Sequence, residues 1–399
     1  MINLKKSVPV KRISPCDDGH YFFGYYDIQP FNKSGKLHLA HRTGFMDRLQ
    51  NASDSADIGI IDVESNKFEK LDTTYAWNFQ QGAMLQWNPQ NPENEIIYNT
   101  YKDGEYYGVV MNINNGNKRY LDRPVANVSR DGKYALGINM SRLYDFRPGY
   151  GYAPIVDRYK NVNHSDEDGV FLIDISTGKS KLILSMQDIW DFSGSFFEKD
   201  EKMIINHITF NPSANRFLML VRNFPEAGKA HVTASITADI NGKDLFNLCD
   251  YGITSHYWWM NDTDLVWYAD GKELECRCGR LNNYIVKDKT YEGSLMADGF
   301  FTFDNHMSFT EDNKYMITDT YPLGVGIMTL RLYCPEINTA TDLAYFHPIK
   351  VDCVDVRCDL HPRWNRTYDA VTFDSIHEGF RGIYKIDLPD NLKEYLLTE

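Results

Sequence analysis

The chain has 399 residues, 43% of them hydrophobic and 14% aromatic, which supports a large core and excludes a disordered chain. Its net charge of −13 argues against generic binding to nucleic acid or an anionic membrane, although a local basic pocket can still take an acidic ligand. No run reaches the roughly 18 apolar residues of a membrane span.

In chain order, Met1 to Pro15 carries Lys5, Lys6, Lys11 and Arg12 with no apolar stretch behind them, so it does not read as a signal peptide. The expected location is cytoplasmic, or periplasmic or secreted if a leader has been removed. Within this segment Val8 to Ile13 reads as a strand that supplies an outer edge. A unit then recurs: an aromatic, a polar turn, an apolar strand, a variable loop, an apolar strand ending in Asp, a turn and a last strand. The first copy runs from Phe31 through Leu37 to Ala40 and on to Ile58 to Asp62. The second starts at Trp87 and includes Glu95 to Tyr98 and Val109 to Met111. The third starts near Ser129 to Gly132 and ends at Asp174 before the turn Ser176 to Gly178. The remaining four start at Phe210, Trp259, Phe309 and Trp364, and the last closes with Gly382 to Asp387.

A period of about 40 to 50 residues is the signature of propeller blades. With 26 Tyr and 22 Phe favouring strands, the expected fold is all-β: a seven-bladed β-propeller forming a single domain over residues 1–399. Helix signals are weak and confined to Met186 to Phe192 and residues 390–398. The seven cysteines, Cys16, Cys249, Cys276, Cys278, Cys334, Cys353 and Cys358, are odd in number in a large chain, so no disulfide framework is expected. Cys276 and Cys278 are too closely spaced for a convincing metal pair.

One unit is longer than the rest. The third carries an inserted loop at about 143–168, rich in Arg and Tyr and including Arg147, Tyr150 and Tyr152. Loops of that length tend to be functional, and this composition suits a sugar or a carboxylate; the bland alternative is a loop that covers one face of the ring.

Four histidines occupy one point of the repeat, three residues before the aromatic: His207, His256, His306 and His361. Equivalent positions of a closed ring converge on its axis, so these four are expected near one mouth of the channel. Cys358 precedes His361 by three residues. His256, His306, Cys358 and His361 make a tetrahedral set for a divalent metal, zinc first and manganese if oxygen ligands join. That leaves His207 free for proton transfer. A second register repeats basic residues at strand ends: His41 and Arg42 in blade one, Arg142 in blade three and Arg222 in blade four. Arginines there can hold a carboxylate with a bidentate fork.

Three runs are familiar: His20-Tyr-Phe-Phe-Gly-Tyr-Tyr-Asp27, Trp77-Asn-Phe-Gln-Gln-Gly-Ala-Met-Leu-Gln-Trp87 and Arg147-Pro-Gly-Tyr-Gly-Tyr152. With them the chain resembles the propeller-type ulvan lyases and, more distantly, the oligogalacturonate lyases, over about residues 18–388. The resemblance implies a metal held near the axis by histidines and a cysteine, and β-elimination on a uronic acid. It further implies proton transfer by His207 and a tyrosine of the Tyr150/Tyr152 loop, with Arg222 on the carboxylate. Blade three departs from the pattern, carrying Asn127 where a second catalytic histidine is expected. The functional expectation is a polysaccharide lyase acting on an acidic oligo- or polysaccharide. The alternative is a non-catalytic glycan-binding propeller of surface-polysaccharide metabolism, and a protein-interaction scaffold is a third reading that the histidine register disfavours.

Overall fold

Seven sheets, antiparallel but for the parallel pairing of Ile2–Asn3 with Thr339–Phe346, form an all-β propeller in the order that the repeat predicts. The computed structural model describes residues 2–3, 8–276, 279–322, 326–351 and 353–398; Cys278 lies outside them. Blade one runs from His20–Phe22 to Lys67–Thr74 and blade two from Gln86–Trp87 to Lys118–Leu121. Blade three spans Asn127–Val128 to Ser180–Ser185, and blade four Met203–Phe210 to Phe246–Gly252. Blade five spans Thr254–Trp259 to Gly293–Leu295, and blade six Met307–Phe309 to Thr339–Phe346. Blade seven takes Arg363–Trp364, Ala370–Ser375 and Gly382–Asp387 from the C-terminus and Val10–Arg12 from the N-terminus. The Val10–Arg12 strand pairs antiparallel with Gly382–Asp387, so the two ends of the chain close the ring and no open sheet edge separates first blade from last.

The blades stack face to face, which covers both faces of their central strands. Met203–Phe210 is therefore buried at every residue, and Arg216–Asn223 at all but the first, which is why the sequence shows continuous apolar runs there rather than alternation. The recurrent aromatics join one blade to the next: Trp87 Nε1 donates to the Pro30 carbonyl and Trp364 Nε1 to the Ser308 carbonyl, both at 2.9 Å. Asn127 serves a joint of the same kind, its Oδ1 accepting from the Phe210 backbone N–H at 3.0 Å. Where a third strand ends in Asp, that residue can shape the turn after it. Asp62 Oδ1 accepts from the Ser65 N–H at 2.8 Å and Asp174 Oδ1 from the Thr177 N–H at 2.9 Å, a side-chain mimic of a backbone turn.

Blade one differs from the repeat in a way that matters for the site. Its inner strand is interrupted: His20–Phe22 pairs with the end of Leu37–Thr43, the chain leaves the sheet, and Phe31 rejoins it by a bridge to His38. The excursion carries Tyr25 and Tyr26 to the axis. Gly24 permits it, with φ of 124° and a backbone so close to Gln81 that a Cβ would lie 2.9 Å from the Gln81 carbonyl oxygen.

The long insertion is ordered by one buried side chain. Met140–Phe146 forms a short helix capped by Asn139, whose side chain accepts from the Arg142 N–H. From that helix the Arg142 guanidinium donates to the carbonyls of Met203 (2.7 Å), Tyr159 (3.1 Å), Val162 (3.1 Å) and Asn163 (2.7 Å). It also lies 3.4 Å from Asp157 Oδ2. Met186–Ser193, opened by a Ser185/Asp188 capping box, and Leu392–Leu397 are the other short α-helices. Cys16, Cys249, Cys334, Cys353 and Cys358 are free thiols. Among the described residues no helix is long and apolar enough to cross a membrane.

Candidate functional site

The four histidines of the repeat meet near the axis, all buried. The His306 ring centroid lies 4.3 Å from that of His256 and 4.2 Å from that of His361. Tyr25 sits among all four, its ring 4.9 Å from His207, 5.1 Å from His361, 6.3 Å from His306 and 6.4 Å from His256.

Carboxylates and carbonyls fix the orientation of these rings. Asp319, the last residue of Met316–Asp319, accepts from the His306 backbone N–H and Nδ1 at 2.9 Å each, and from the His361 backbone N–H at 3.2 Å. One carboxylate thus ties two neighbouring blades together. His361 Nδ1 lies 2.8 Å from the Gly24 carbonyl, which can only accept, so the proton is assigned to Nδ1 and Nε2 is bare. That Nε2 is buried without a hydrogen-bond partner. His361 holds a φ of 43°, a left-handed conformation costing roughly 1–2 kcal/mol for a side-chain-bearing residue. Strain of this kind clusters where geometry serves function. His256 Nδ1 lies 2.9 Å from Asp304 Oδ1.

Burial and these partners set the charge states. Burial works against charge on His306, but Asp319 outweighs it and holds the imidazole above its ordinary pKa. His361 falls well below its ordinary value through burial and then through His306 and Arg363. His256 is also lowered, burial prevailing over Asp304. Burial would raise Asp304, yet His256 holds it below the usual carboxylate range.

His306, Asp359 and His361 bring one donor atom each within 4.8 Å of one another. Two imidazoles, one with an orphaned buried nitrogen, and a carboxylate are a donor set that fits a divalent metal. Two other expected ligands, Cys358 and His256, are not in this compact group. Cys358 Sγ is 3.8 Å from the Asp359 carbonyl, and burial pushes the thiol up to about 12. His256 is adjacent to the group rather than in it.

Beside the histidines opens a pocket of about 360 Å³ lined by Tyr25, Arg147, Tyr150, His207, Arg222, His231, His256, Asp304, Tyr321 and Arg357. Arg147, Tyr150, His207 and Arg222 stand there as the sequence predicts. Arg222 donates to Asn206 Oδ1 at 3.0 Å and Thr233 Oγ1 at 3.2 Å, and no described carboxylate pairs with it. Burial and the neighbouring Arg147 lower its pKa to about 10, so it is still charged at neutral pH. Tyr150 is gripped by two cations: Arg147 lies 4.3 Å over its ring and Arg357 Nη2 is 3.3 Å from its hydroxyl. His207 Nε2 is 3.4 Å from Asp27 Oδ2, and its Nδ1 is buried without a partner. His231 is pulled down to about 4 by burial, then by Arg222 and Arg147, which leaves a neutral imidazole beside two guanidinium groups.

Four expected site residues are elsewhere. Tyr152 is fully buried between blades, its hydroxyl 2.8 Å from Asn99 Nδ2 and its ring against Tyr106. Arg142 is consumed by the insertion. His41 lies beneath Gly82 and Ala83, stacked on Phe22, its Nε2 accepting from the Ala83 N–H at 2.9 Å. Arg42 is partly exposed and pairs with Asp18 at 3.1 Å. Conversely, Tyr25, His231, Asp304, Asp319, Tyr321, Arg357 and Asp359 were not singled out for these positions. The strand-end register that finds Arg222 also runs through Asp319 and Tyr321, but only basic residues were followed along it.

No family model and no characterised protein matches the chain by sequence. Solved structures do match it. An oligogalacturonate lyase from Vibrio parahaemolyticus superposes with a TM-score of 0.64 at 14% identity, covering 98% of this chain and 96% of that one. An oligogalacturonate lyase in complex with manganese gives 0.65 at 14% identity, again covering 98% and 96%. The tricorn protease gives 0.53 at 10% identity, covering 92% of this chain and 34% of that one. Sequence identity this low, with coverage this complete for the two lyases, establishes likeness of fold: a seven-bladed propeller of the architecture seen in oligogalacturonate lyase.

Proposed function

We propose that the chain is a lyase that cleaves a uronic-acid-containing glycan by β-elimination in the central pocket. One observation carries the reading: Arg222 is a buried guanidinium with no carboxylate partner, facing a pocket that also holds Tyr150 and His207. A buried charge without a counter-ion is costly, and the carboxylate of a uronate supplies one in the bidentate geometry that arginine favours. The two solved oligogalacturonate lyases of like architecture, one with manganese, are consistent with this, as is the resemblance of the three sequence runs to ulvan lyases.

The C5 proton of a uronate is weakly acidic, and stabilising the enolate-like charge on its carboxylate is the largest demand on the site. Arg222 meets it. His306, Asp359 and His361, with His256 adjacent, would hold a divalent metal, whose positive charge would add to that stabilisation. With a carboxylate in place of the thiolate, the donor set suits manganese as well as zinc. Tyr150, acting as its phenolate, takes the C5 proton at its oxygen, which Arg357 orients. The electrons of the C5–H bond form the C4–C5 double bond as the C4–O bond breaks. His207 is the second proton-transfer group. Acid–base assistance of this kind contributes roughly 10²–10⁴-fold.

The test is ultraviolet absorbance of the unsaturated uronate while the protein acts on ulvan, pectin fragments and glycosaminoglycans. A signal that disappears in Arg222→Ala supports the reading. A non-catalytic glycan-binding propeller would use the same arginine, and it is the reading left if the glycan binds and no signal develops.

A further inference from the structure

Tyr25 is the one pocket-lining side chain whose burial, position and lack of partners call for an explanation. It is 2% exposed, yet among the described residues its hydroxyl takes part in no hydrogen bond. The neighbouring phenol does find a partner: the Tyr26 hydroxyl donates to the Tyr257 carbonyl at 3.0 Å. The two tyrosines are therefore not equivalent, although both are carried by the same excursion and their rings lie 4.8 Å apart. Tyr26 is anchored to blade five. Tyr25 lines the pocket, edge-on to His207 and within the electrostatic reach of Tyr150, Asp27 and Arg222.

The chain does considerable work to place this ring. The inner strand of blade one is broken for it, Gly24 adopts a conformation that side-chain-bearing residues avoid, and the Gly24 carbonyl is held by His361 Nδ1 at 2.8 Å and Arg363 Nη1 at 2.9 Å. A packing role would not require an unpartnered hydroxyl beside the guanidinium that faces the substrate carboxylate.

We propose that Tyr25 is a catalytic residue, the acid that protonates the leaving glycosidic oxygen. The proposal rests on the lyase reading and completes it, because Tyr150 accounts for the proton removed and the leaving oxygen still needs a proton supplied. Tyr150 gains the proton from C5. The C4–O bond breaks, and the leaving oxygen takes the Tyr25 hydroxyl proton to depart as an alcohol. The proton on Tyr150 then returns to the Tyr25 oxygen, with His207 as the relay, so the pocket ends in its starting state.

The test compares two leaving groups. Tyr25→Phe is assayed on a uronate disaccharide, whose sugar alkoxide needs protonation, and on a uronate bearing a para-nitrophenyl ether at C4, whose phenolate leaves unaided. The proposal expects cleavage of the disaccharide to fall by about 10²-fold or more and cleavage of the aryl ether to fall by less than about tenfold. Equal losses on the two substrates would show that Tyr25 only shapes the pocket, and unchanged disaccharide cleavage would show that it is dispensable; either overturns the proposal while leaving the lyase reading intact. Wild-type protein that eliminates neither leaving group removes the reading and the proposal together.

Discussion

Asn78 Nδ2 donates to the backbone carbonyl of Tyr150 at 2.9 Å, joining the second of the three familiar sequence runs to the third. Around that bond, Gln80 N–H donates to the Gly149 carbonyl at 3.2 Å, and Gln50 Nε2 reaches the Pro148 carbonyl at 2.9 Å. The tip of the insertion is thus held by side chains of blades one and two, and Tyr150 faces the pocket because they hold it. Asn78→Ala is expected to lower kcat/KM by about 10²-fold, the effect of a proton-transfer group displaced by an ångström. It should cost only about 1–3 kcal/mol of stability, the scale of one buried bond lost. Steady-state kinetics and chemical denaturation on the same variant separate the two effects.

Arg142 and Arg222 are both buried arginines, and they should respond oppositely. Arg142 is satisfied by four carbonyls and Asp157. Removing it as Arg142→Ala strands those acceptors and a buried carboxylate, at a cost of about 3–5 kcal/mol. Arg222→Ala removes a charge that lacks a counter-ion and should leave stability within about 1 kcal/mol of wild type while abolishing turnover. Urea midpoints of the two variants check this.

The difference between those arginines marks how far the sequence was legible. Both follow an apolar strand in the repeat, but blade three replaces its strand end with the Met140–Phe146 helix, which turns Arg142 away from the mouth. The fold was readable because its aromatic-to-Asp unit recurs and every copy obeys the same packing. The histidines were readable because equivalence in a closed ring becomes proximity. Adjacent choices were not: Tyr150 against Tyr152, and Asp359 against Cys358, depend on which way one side chain points along an irregular segment with no period. Tyr25 reads from sequence only as an aromatic for sugar stacking or blade packing, since its excursion breaks the repeat that made the other residues visible.

Asp359 and Cys358 give a direct comparison at the metal group. Cys358→Ser should retain bound metal, since the thiol lies outside the compact donor set. Asp359→Asn removes the charged donor and should weaken the metal by at least about tenfold. Elemental analysis of the purified variants, followed by titration of the apo forms with manganese and zinc, checks both.

Acid should destabilise the ring through histidines remote from the pocket. Burial lowers His38 to about 3, assisted by Arg363, and lowers His41 to about 4. Their folded values lie below the unfolded value of about 6.5, so the unfolded chain binds more protons between those limits. Their contribution is fully present above about pH 6.5 and is lost as pH falls toward 4. Between about pH 7 and about pH 5 the loss is roughly 2 kcal/mol per histidine. Denaturation midpoints across that interval, with His38→Gln as a control that flattens the slope, check the sign.

The account stands on elimination at the central pocket, and the most direct measurement is mass spectrometry of cleavage products formed in water enriched in heavy oxygen. Elimination breaks the C4–O bond without adding water, so the products should carry no heavy oxygen and one should be lighter than its hydrolytic counterpart by the mass of one water. Incorporation of one heavy oxygen atom per cut, or failure to cleave any acidic glycan, would contradict it.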